Sequence, residues 1–229
     1  MGLRELKKEQ TRQLIADTAW RLFADRGFDR VSVAEIAREA QVAEATVFNY
    51  FPSKEDLFYW RLEAFGTQLA DAISTRPPGE PVLAAFRRYL LAEGGLLAQV
   101  ETGDPGALAR LRTVTCMIGA SPALLAREQQ ALTRNADSLA ALLAAETGAP
   151  ADDLSPQVAA NALMGVHRAL IDYVRRRVRA DEEPARLAAD VRKLTTEAFA
   201  LLEHGLADYA AKPPVPARTP RPAHSPQHG

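Results

Sequence analysis

Several features that would indicate a secreted or membrane protein are missing from this sequence. It has one cysteine, Cys116, among 229 residues, so no internal disulfide can form. No apolar run approaches the ~18 residues that span a bilayer. The N-terminus lacks the apolar core and the small-residue cleavage site of a signal peptide. We therefore expect a cytoplasmic protein with no membrane partner.

Catalytic signatures are missing as well. The sequence contains no HExxH, GxSxG, P-loop, GxGxxG or CxxC pattern. We therefore expect no catalytic residues, no metal and no cofactor, and a protein that is not an enzyme. The formal net charge of −1 neither indicates nor excludes a nucleic-acid partner, because a local patch of charge matters more than the total.

What the sequence does have is helical periodicity from one end to the other. No segment shows the alternation or the β-branched clustering that is typical of strands. Glycine and proline clusters divide the chain into about nine helices, two of them very short. The predicted fold class is therefore all-α. Residues 211–229 contain six prolines, a composition that cannot bury a core, so this segment is predicted to be a disordered tail.

Two of the predicted helices are very short and close together. Ser32 and Glu35 form a capping box that starts the first of them. Val42 is an apolar residue in the turn that follows, and the next helix covers about residues 43–50. Two helices at a steep angle across so short a turn form a helix-turn-helix. The sequence thus predicts a DNA-binding domain of three helices over residues 1–52.

The last helix of this domain carries side chains that suit DNA. If Val47 faces the core, then Thr46, Asn49 and Tyr50 face outward. Hydroxyls suit phosphates, an amide suits a base edge, and small or aromatic groups suit thymine methyls. Lys54, in the first turn of the next helix, could bind a phosphate together with free backbone N–H groups. The alternative is two short helices in an ordinary helical core.

Taken together, these motifs resemble the TetR-type (tetracycline-repressor-like) transcriptional regulators over roughly residues 11–60. The segments that carry the resemblance are Ile15–Phe23, Gly27–Phe28, Val33–Ala37, Val42, Thr46–Phe51 and Ser53–Leu57. The resemblance implies a homodimer in which a small helix-turn-helix domain precedes a larger helical domain that binds an effector.

The resemblance also implies roles for particular residues. Phosphate contacts would come from Thr46, Tyr50 and Lys54, and base contacts from Ala45, Phe48 and Asn49; Ser32 and Glu44 complete the set of DNA-binding candidates. Two positions depart from the family pattern. Ala43 replaces the frequent Ser or Thr cap of the recognition helix, and Glu44 replaces a basic or small residue. Glu44 either reads a cytosine amino group or points away from the DNA.

Residues 53–210 are predicted to form the ligand-binding and dimerisation domain. The side chains proposed to line a pocket are Phe86, Tyr89, Leu90, Arg112, Cys116, Met117, Asn161, Met164 and Arg168, and for each of them the alternative is ordinary core packing. A buried arginine needs a partner, which an anionic or amphipathic effector could supply, and methionines suit an adaptable pocket. Residues 108–112 and 121–128 resemble the subgroup that senses acyl-CoA-like molecules.

The last two long helices, about residues 156–179 and 184–209, have apolar faces. A pair from each of two subunits would form a four-helix bundle, as the resemblance implies, although periodicity alone also allows packing within one chain. The leading hypothesis is a ligand-responsive repressor that binds a palindromic operator in double-stranded DNA as a homodimer and is released by a small hydrophobic or amphipathic effector. The alternative is a helical ligand-binding or protein-interaction module with degraded DNA binding.

Overall fold

The computed structural model describes residues 2–60, 64–92, 105–180 and 182–205. Within these ranges the chain forms ten helices and no strand, which confirms the all-α prediction, although the sequence indicated about nine helices. None of these helices is long and apolar enough to cross a bilayer. The helices are α1 (Leu3–Arg26), α2 (Val33–Glu39), α3 (Glu44–Tyr50), α4 (Lys54–Tyr59), α5 (Ala64–Ser74), α6 (Val82–Leu91), α7 (Pro105–Ala120), α8 (Pro122–Thr147), α9 (Ser155–Arg179) and α10 (Pro184–His204). The predicted disordered tail lies outside the described residues.

The first apolar core lies among α1, α2, α3 and α4. One stripe of α1 is fully buried in it, from Ile15 to Phe23. Trp20 stacks on Phe58 of α4, with the ring centroids 5.1 Å apart. Large aromatic side chains bury much apolar surface, so α4 is held on the first three helices although the predicted boundary between domains falls before it. The domain boundaries themselves stay a prediction.

The helix-turn-helix has the local geometry that its sequence predicts. The Glu35 backbone N–H donates to Ser32 Oγ at 3.2 Å, and the Ser32 N–H donates to the Glu35 carboxylate at 2.9 Å, which completes the capping box. In the turn, Val42 packs half-buried against the first core, and Gln41 has a φ of 56°. Helices of seven residues such as α2 and α3 are marginal alone, so this packing stabilises them.

A second apolar core lies among α5, α6, α8, α9 and α10. Its central aromatic pair is Phe86 with Phe199, whose ring centroids are 6.1 Å apart. A smaller cluster between α9 and α10 extends it. The end of α7 and the start of α8 insert Met117, Ile118 and Leu124 into the first core instead. The turn between α7 and α8 therefore packs against the N-terminal helices.

Candidate nucleic-acid interface

The two faces of α3 differ in exposure as the sequence predicts. Val47 is buried, whereas Glu44, Ala45, Phe48 and Asn49 are exposed. Phe48 has 47% of its surface exposed, so its ring is available for contact with another molecule. The outward face of α3 thus offers an aromatic ring, an amide and a carboxylate side by side.

The two hydroxyl-bearing candidates on α3 lie at the edge of this face. Thr46 and Tyr50 are half-buried, and the Tyr50 ring packs against the first core. Ala43, the N-cap residue of α3, makes no side-chain cap hydrogen bond, as expected for an alanine.

Lys54 lies in a different environment from the one its sequence position suggested. Its ammonium donates to the backbone carbonyls of Phe28 and Val31, both at 3.0 Å, and lies 4.2 Å from the centroid of the Phe28 ring. Because an ammonium has three N–H groups, one is left for a phosphate. Sequence reasoning missed this structural role, since the two carbonyls lie more than twenty residues earlier in the chain.

Ser32 also serves its own helix. Its Oγ accepts from the Glu35 N–H and donates to the Glu35 carboxylate at 2.9 Å. Hydrogen bonds from the Ser32 backbone N–H and side chain hold the pKa of Glu35 below its usual value. The structure therefore shows Ser32 as the cap of α2, with its hydroxyl engaged within the subunit.

Arg12 is a cation near this surface that the sequence did not single out from the other basic residues of α1. Its guanidinium lies 5.4 Å from the ring centroids of both Phe51 and Trp60. Contacts of this kind are worth ~0.5–1 kcal/mol where the cation is accessible. Arg12 thus joins α1 to the C-cap residues of α3 and α4.

The ligand-binding candidates are not brought together in one place. Phe86, Tyr89, Leu90 and Met164 are buried together in the second core, whereas Met117 belongs to the first. Cys116, Asn161 and Arg168 are exposed. Helical periodicity gives the spacing of side chains but not which face a neighbouring helix covers. The sequence therefore predicts these three exposed residues as pocket residues although they lie at the surface.

Two further polar residues of the C-terminal helices have defined environments. Arg112 is half-buried, and its Nε donates to the Val178 carbonyl at 3.3 Å, so a backbone group supplies the partner that an effector was expected to supply. His167 has 4% of its surface exposed, and burial lowers its pKa to about 3. No group of three or more metal-ligating side chains occurs among the described residues.

An all-α chain whose short third helix presents exposed side chains from a helix-turn-helix belongs to the class of helix-turn-helix transcriptional regulators. Comparison with known proteins identifies the family. Residues 15–59 match the model of the bacterial regulatory proteins of the tetR family. Residues 81–207 match the model of the MftR C-terminal domain, which covers more than half of the chain. The chain belongs to the TetR family.

Individual relatives agree with this assignment. The chain is 31% identical over 155 residues to the HTH-type transcriptional regulator TcmR of Streptomyces glaucescens, covering 66% of this chain and 67% of that protein. In fold it is similar to NalD, the secondary repressor of the MexAB-OprM multidrug efflux pump in Pseudomonas aeruginosa (TM-score 0.54, 20% identity, 84% and 96% of the two chains). It is also similar to SmeT in complex with triclosan (TM-score 0.51, 17% identity, 94% and 100%).

These findings decide two of the sequence predictions. The resemblance to TetR-type regulators is confirmed, and so is the prediction that the protein is not an enzyme, because its relatives are transcriptional regulators.

Proposed function

We propose that this regulator binds a palindromic operator as a homodimer and that a small hydrophobic or amphipathic molecule releases it. The observation that carries the proposal is the exposed face of α3 with Phe48 and Asn49 at its centre. An asparagine amide can both donate a hydrogen bond to an adenine edge and accept one from it, and an aromatic ring can contact a thymine methyl. Specific contacts of both kinds are therefore available on one helix short enough to enter the major groove.

Phosphate contacts would orient this helix. Thr46 and Tyr50 are half-buried at the edge of the exposed face of α3. There a hydroxyl can reach the DNA phosphate backbone while the rest of the side chain packs against the protein. Lys54 would add its remaining N–H. Such contacts fix the register of the helix without reading sequence.

Dimerisation is proposed through α9 and α10. The start of α9 exposes Leu154 and Val158, with 73% and 64% of their surfaces accessible in the single chain. Further along the same helix a Cβ added at Gly165 would meet nothing within 4 Å, which would allow a partner helix to approach closely. Leu154 and Val158 are four residues apart and so lie one helical turn from each other, where they offer exposed apolar surface for a contact with another helix.

The proposed effector binds within the C-terminal helices. SmeT, which has the same fold, is bound to triclosan, and an effector for this chain would be of similar hydrophobic or amphipathic character, such as an acyl-CoA-like molecule. Met164, buried in the second core, has a side chain that adapts easily to different ligands. To act, the effector must bind one conformer more tightly than the other.

The test is fluorescence anisotropy with DNA from upstream of the protein's own gene, compared with scrambled DNA at about 0.15 M salt. Binding tighter than scrambled DNA by ~10³-fold or more is expected of a specific reader. Phe48→Ala should weaken operator binding by ~5–100-fold, the effect of about one base contact. Leu125→Ala is a matched control because Leu125 is similarly exposed, at 40%, on α8; it should leave the affinity unchanged.

Equal, weak binding to both DNAs would have two explanations, either an operator elsewhere in the genome or the alternative of a module with degraded DNA binding. The alternative is motivated by the exposed Glu44, whose carboxylate would repel phosphate, and by Ala43, which leaves α3 without a side-chain cap. A genome-wide fragment selection decides between them, because a degraded module would enrich no fragment.

A further inference from the structure

Polar contacts join the turn between α7 and α8 to the N-terminal helices. Ser121, in that turn, donates from Oγ to Asp29 Oδ1 at 2.8 Å. The Tyr59 hydroxyl donates to the Leu124 carbonyl at 3.0 Å, in a buried position. These bonds come in addition to the apolar side chains that the same turn buries in the first core. The position of the helix-turn-helix is therefore tied to the start of α8.

An ion pair joins α8 to the first turn of α4, the helix that follows α3. Arg127 of α8 donates from Nε to Asp56 Oδ1 at 2.8 Å, and the two side chains are only 13% and 28% exposed. The other Asp56 oxygen accepts from Ser53 Oγ at 2.8 Å. Ser53 is the N-cap of α4, three residues after the end of α3. A shift of Arg127 would therefore move the connection that positions α3.

The next residue of α8 makes a second ion pair on another side. Glu128 accepts two hydrogen bonds from Arg175 of α9, at 2.7 and 2.5 Å. The side chains are 13% and 15% exposed. A paired, bidentate arginine is held in one geometry, and a pair so well shielded is screened little by salt. Consecutive residues of α8 thus hold α4 through one ion pair and α9 through the other.

We propose that this ion-pair ladder, Asp56–Arg127 and Glu128–Arg175, sets the distance between the two recognition helices of the dimer and so determines which half-site spacing the protein accepts. The inference rests on the proposed function, because α9 is one of the helices through which the dimer is proposed to form. The ladder is a polar link from that helix to the α3–α4 connection. Arg127 and Glu128 act as positioning residues and do not themselves contact DNA.

Half-site spacing is a sensitive readout of such a link. Half-sites read by a dimer lie about 34–36 Å apart, one turn of the double helix. Each inserted base pair moves the second half-site by ~3.4 Å along the axis and rotates it by roughly 34–36°. A rigid ladder rejects the altered site, whereas a subunit freed from the ladder can follow it. A simple loss of stability would weaken binding to both sites equally.

The experiment compares the selected operator with the same operator carrying two extra base pairs between its half-sites. Both affinities are measured by anisotropy for the wild-type protein, Arg127→Gln and Asp56→Asn. Arg76→Gln is the matched control, because Arg76 makes a bidentate pair with Glu146 at 2.9 and 2.6 Å between elements of the second core region only. Thermal melting of each variant shows whether it is folded.

For the wild type, we expect the altered spacing to weaken binding by about tenfold or more, comparable to the loss of roughly one base-pair contact. The ratio of the affinity for the native spacing to that for the altered spacing should fall to about threefold or less in Arg127→Gln and Asp56→Asn. The reason is that these variants weaken binding to the native spacing more than to the altered one. Arg76→Gln should keep the wild-type ratio. A wild-type ratio in both ladder variants, or the same reduction in Arg76→Gln, would overturn the proposal.

Failures of the two proposals are distinguishable. A genome-wide fragment selection in which the wild-type protein enriches no operator refutes the proposed function, and the ladder proposal with it. A wild-type protein that selects the operator but tolerates the extra base pairs refutes the ladder proposal alone. If Arg127→Gln does not fold, Arg127→Lys replaces it; it keeps the charge but loses the planar donor geometry, and an unchanged ratio for that variant also refutes the ladder.

Discussion

Replacing Lys54 by methionine separates a structural role of this side chain from a role in DNA binding. Methionine keeps a long apolar stem but removes the ammonium and its donors. In the structure the ammonium donates to the carbonyls of Phe28 and Val31 and lies over the Phe28 ring. These carbonyls belong to the connection between α1 and α2, so Lys54 joins the start of α4 to that connection.

The magnitude follows from the number and type of these contacts. A hydrogen bond with a charged partner contributes ~1.5–3 kcal/mol net, and an accessible cation–ring contact ~0.5–1 kcal/mol. The site is half-buried, so water can replace part of what is lost. We expect Lys54→Met to lower the free energy of unfolding by about 2 kcal/mol, which lowers Tm by roughly 4–8 °C in a chain of this size.

The assay is urea denaturation followed by tryptophan fluorescence. The protein has two tryptophans, and both Trp20 and Trp60 contact the first core, so their signal reports on the N-terminal helices. Lys193→Met is the control, because Lys193 is 72% exposed and its ammonium lies as far as 3.9 Å from its ion-pair partner on the same helix, α10. That variant should change the stability by no more than ~0.5 kcal/mol.

The salt dependence of DNA binding completes the test. A lysine whose main function is to neutralise one phosphate lowers the salt slope by about one when it is removed. Because most donors of the Lys54 ammonium are bound to carbonyls, the Lys54→Met substitution should lower the salt slope by clearly less than one. It should also lower the stability of the fold. This reasoning would be refuted if Lys54→Met lowered the salt slope by a full unit and were as stable as the Lys193→Met control.

Two further perturbations test the fold itself. Gln41→Gly should raise the stability by about 0.5–1 kcal/mol, because relief of ~1–2 kcal/mol of left-handed strain at φ 56° outweighs the extra chain entropy of glycine; a lower urea midpoint would contradict this. For His167, burial lowers the folded pKa to about 3, so the unfolded chain takes up its proton first as the pH falls below ~6.5. Stability should be about 2 kcal/mol lower at pH 5 than at pH 7, and urea titrations of His167→Gln should show that this loss has disappeared.

Local signals explain why the helix-turn-helix could be predicted from the sequence. The capping box of Ser32 and Glu35 involves residues three apart, and its geometry depends on little beyond them. The alternation of buried and exposed residues on α3, from Glu44 to Tyr50, follows from helical periodicity once Val47 is assigned to the core. Both signals act within one or two turns, so tertiary packing does not have to be known.

The environments that the sequence did not predict depend on residues far apart in the chain. The carbonyl partners of Lys54 precede it by more than twenty residues, and Arg127 meets Asp56 across 71 residues. No spacing rule connects such positions, since they meet only when whole helices pack. For the same reason, helical spacing alone predicts Cys116, Asn161 and Arg168 as pocket residues, whereas the structure places them at the surface.

Packing also changes the meaning of the charge of the N-terminal helices. In the sequence, acids and bases among the first 62 residues cancel, so this segment carries no net positive charge. In the structure, Glu39 is paired with Arg21 and Glu35 is held by its own capping box. Asp56 is paired with Arg127 of α8, a cation from outside these first 62 residues. The C-terminal helices therefore neutralise an acid of the N-terminal helices, so a count of charges along the first 62 residues underestimates the positive potential that the folded protein can present to DNA.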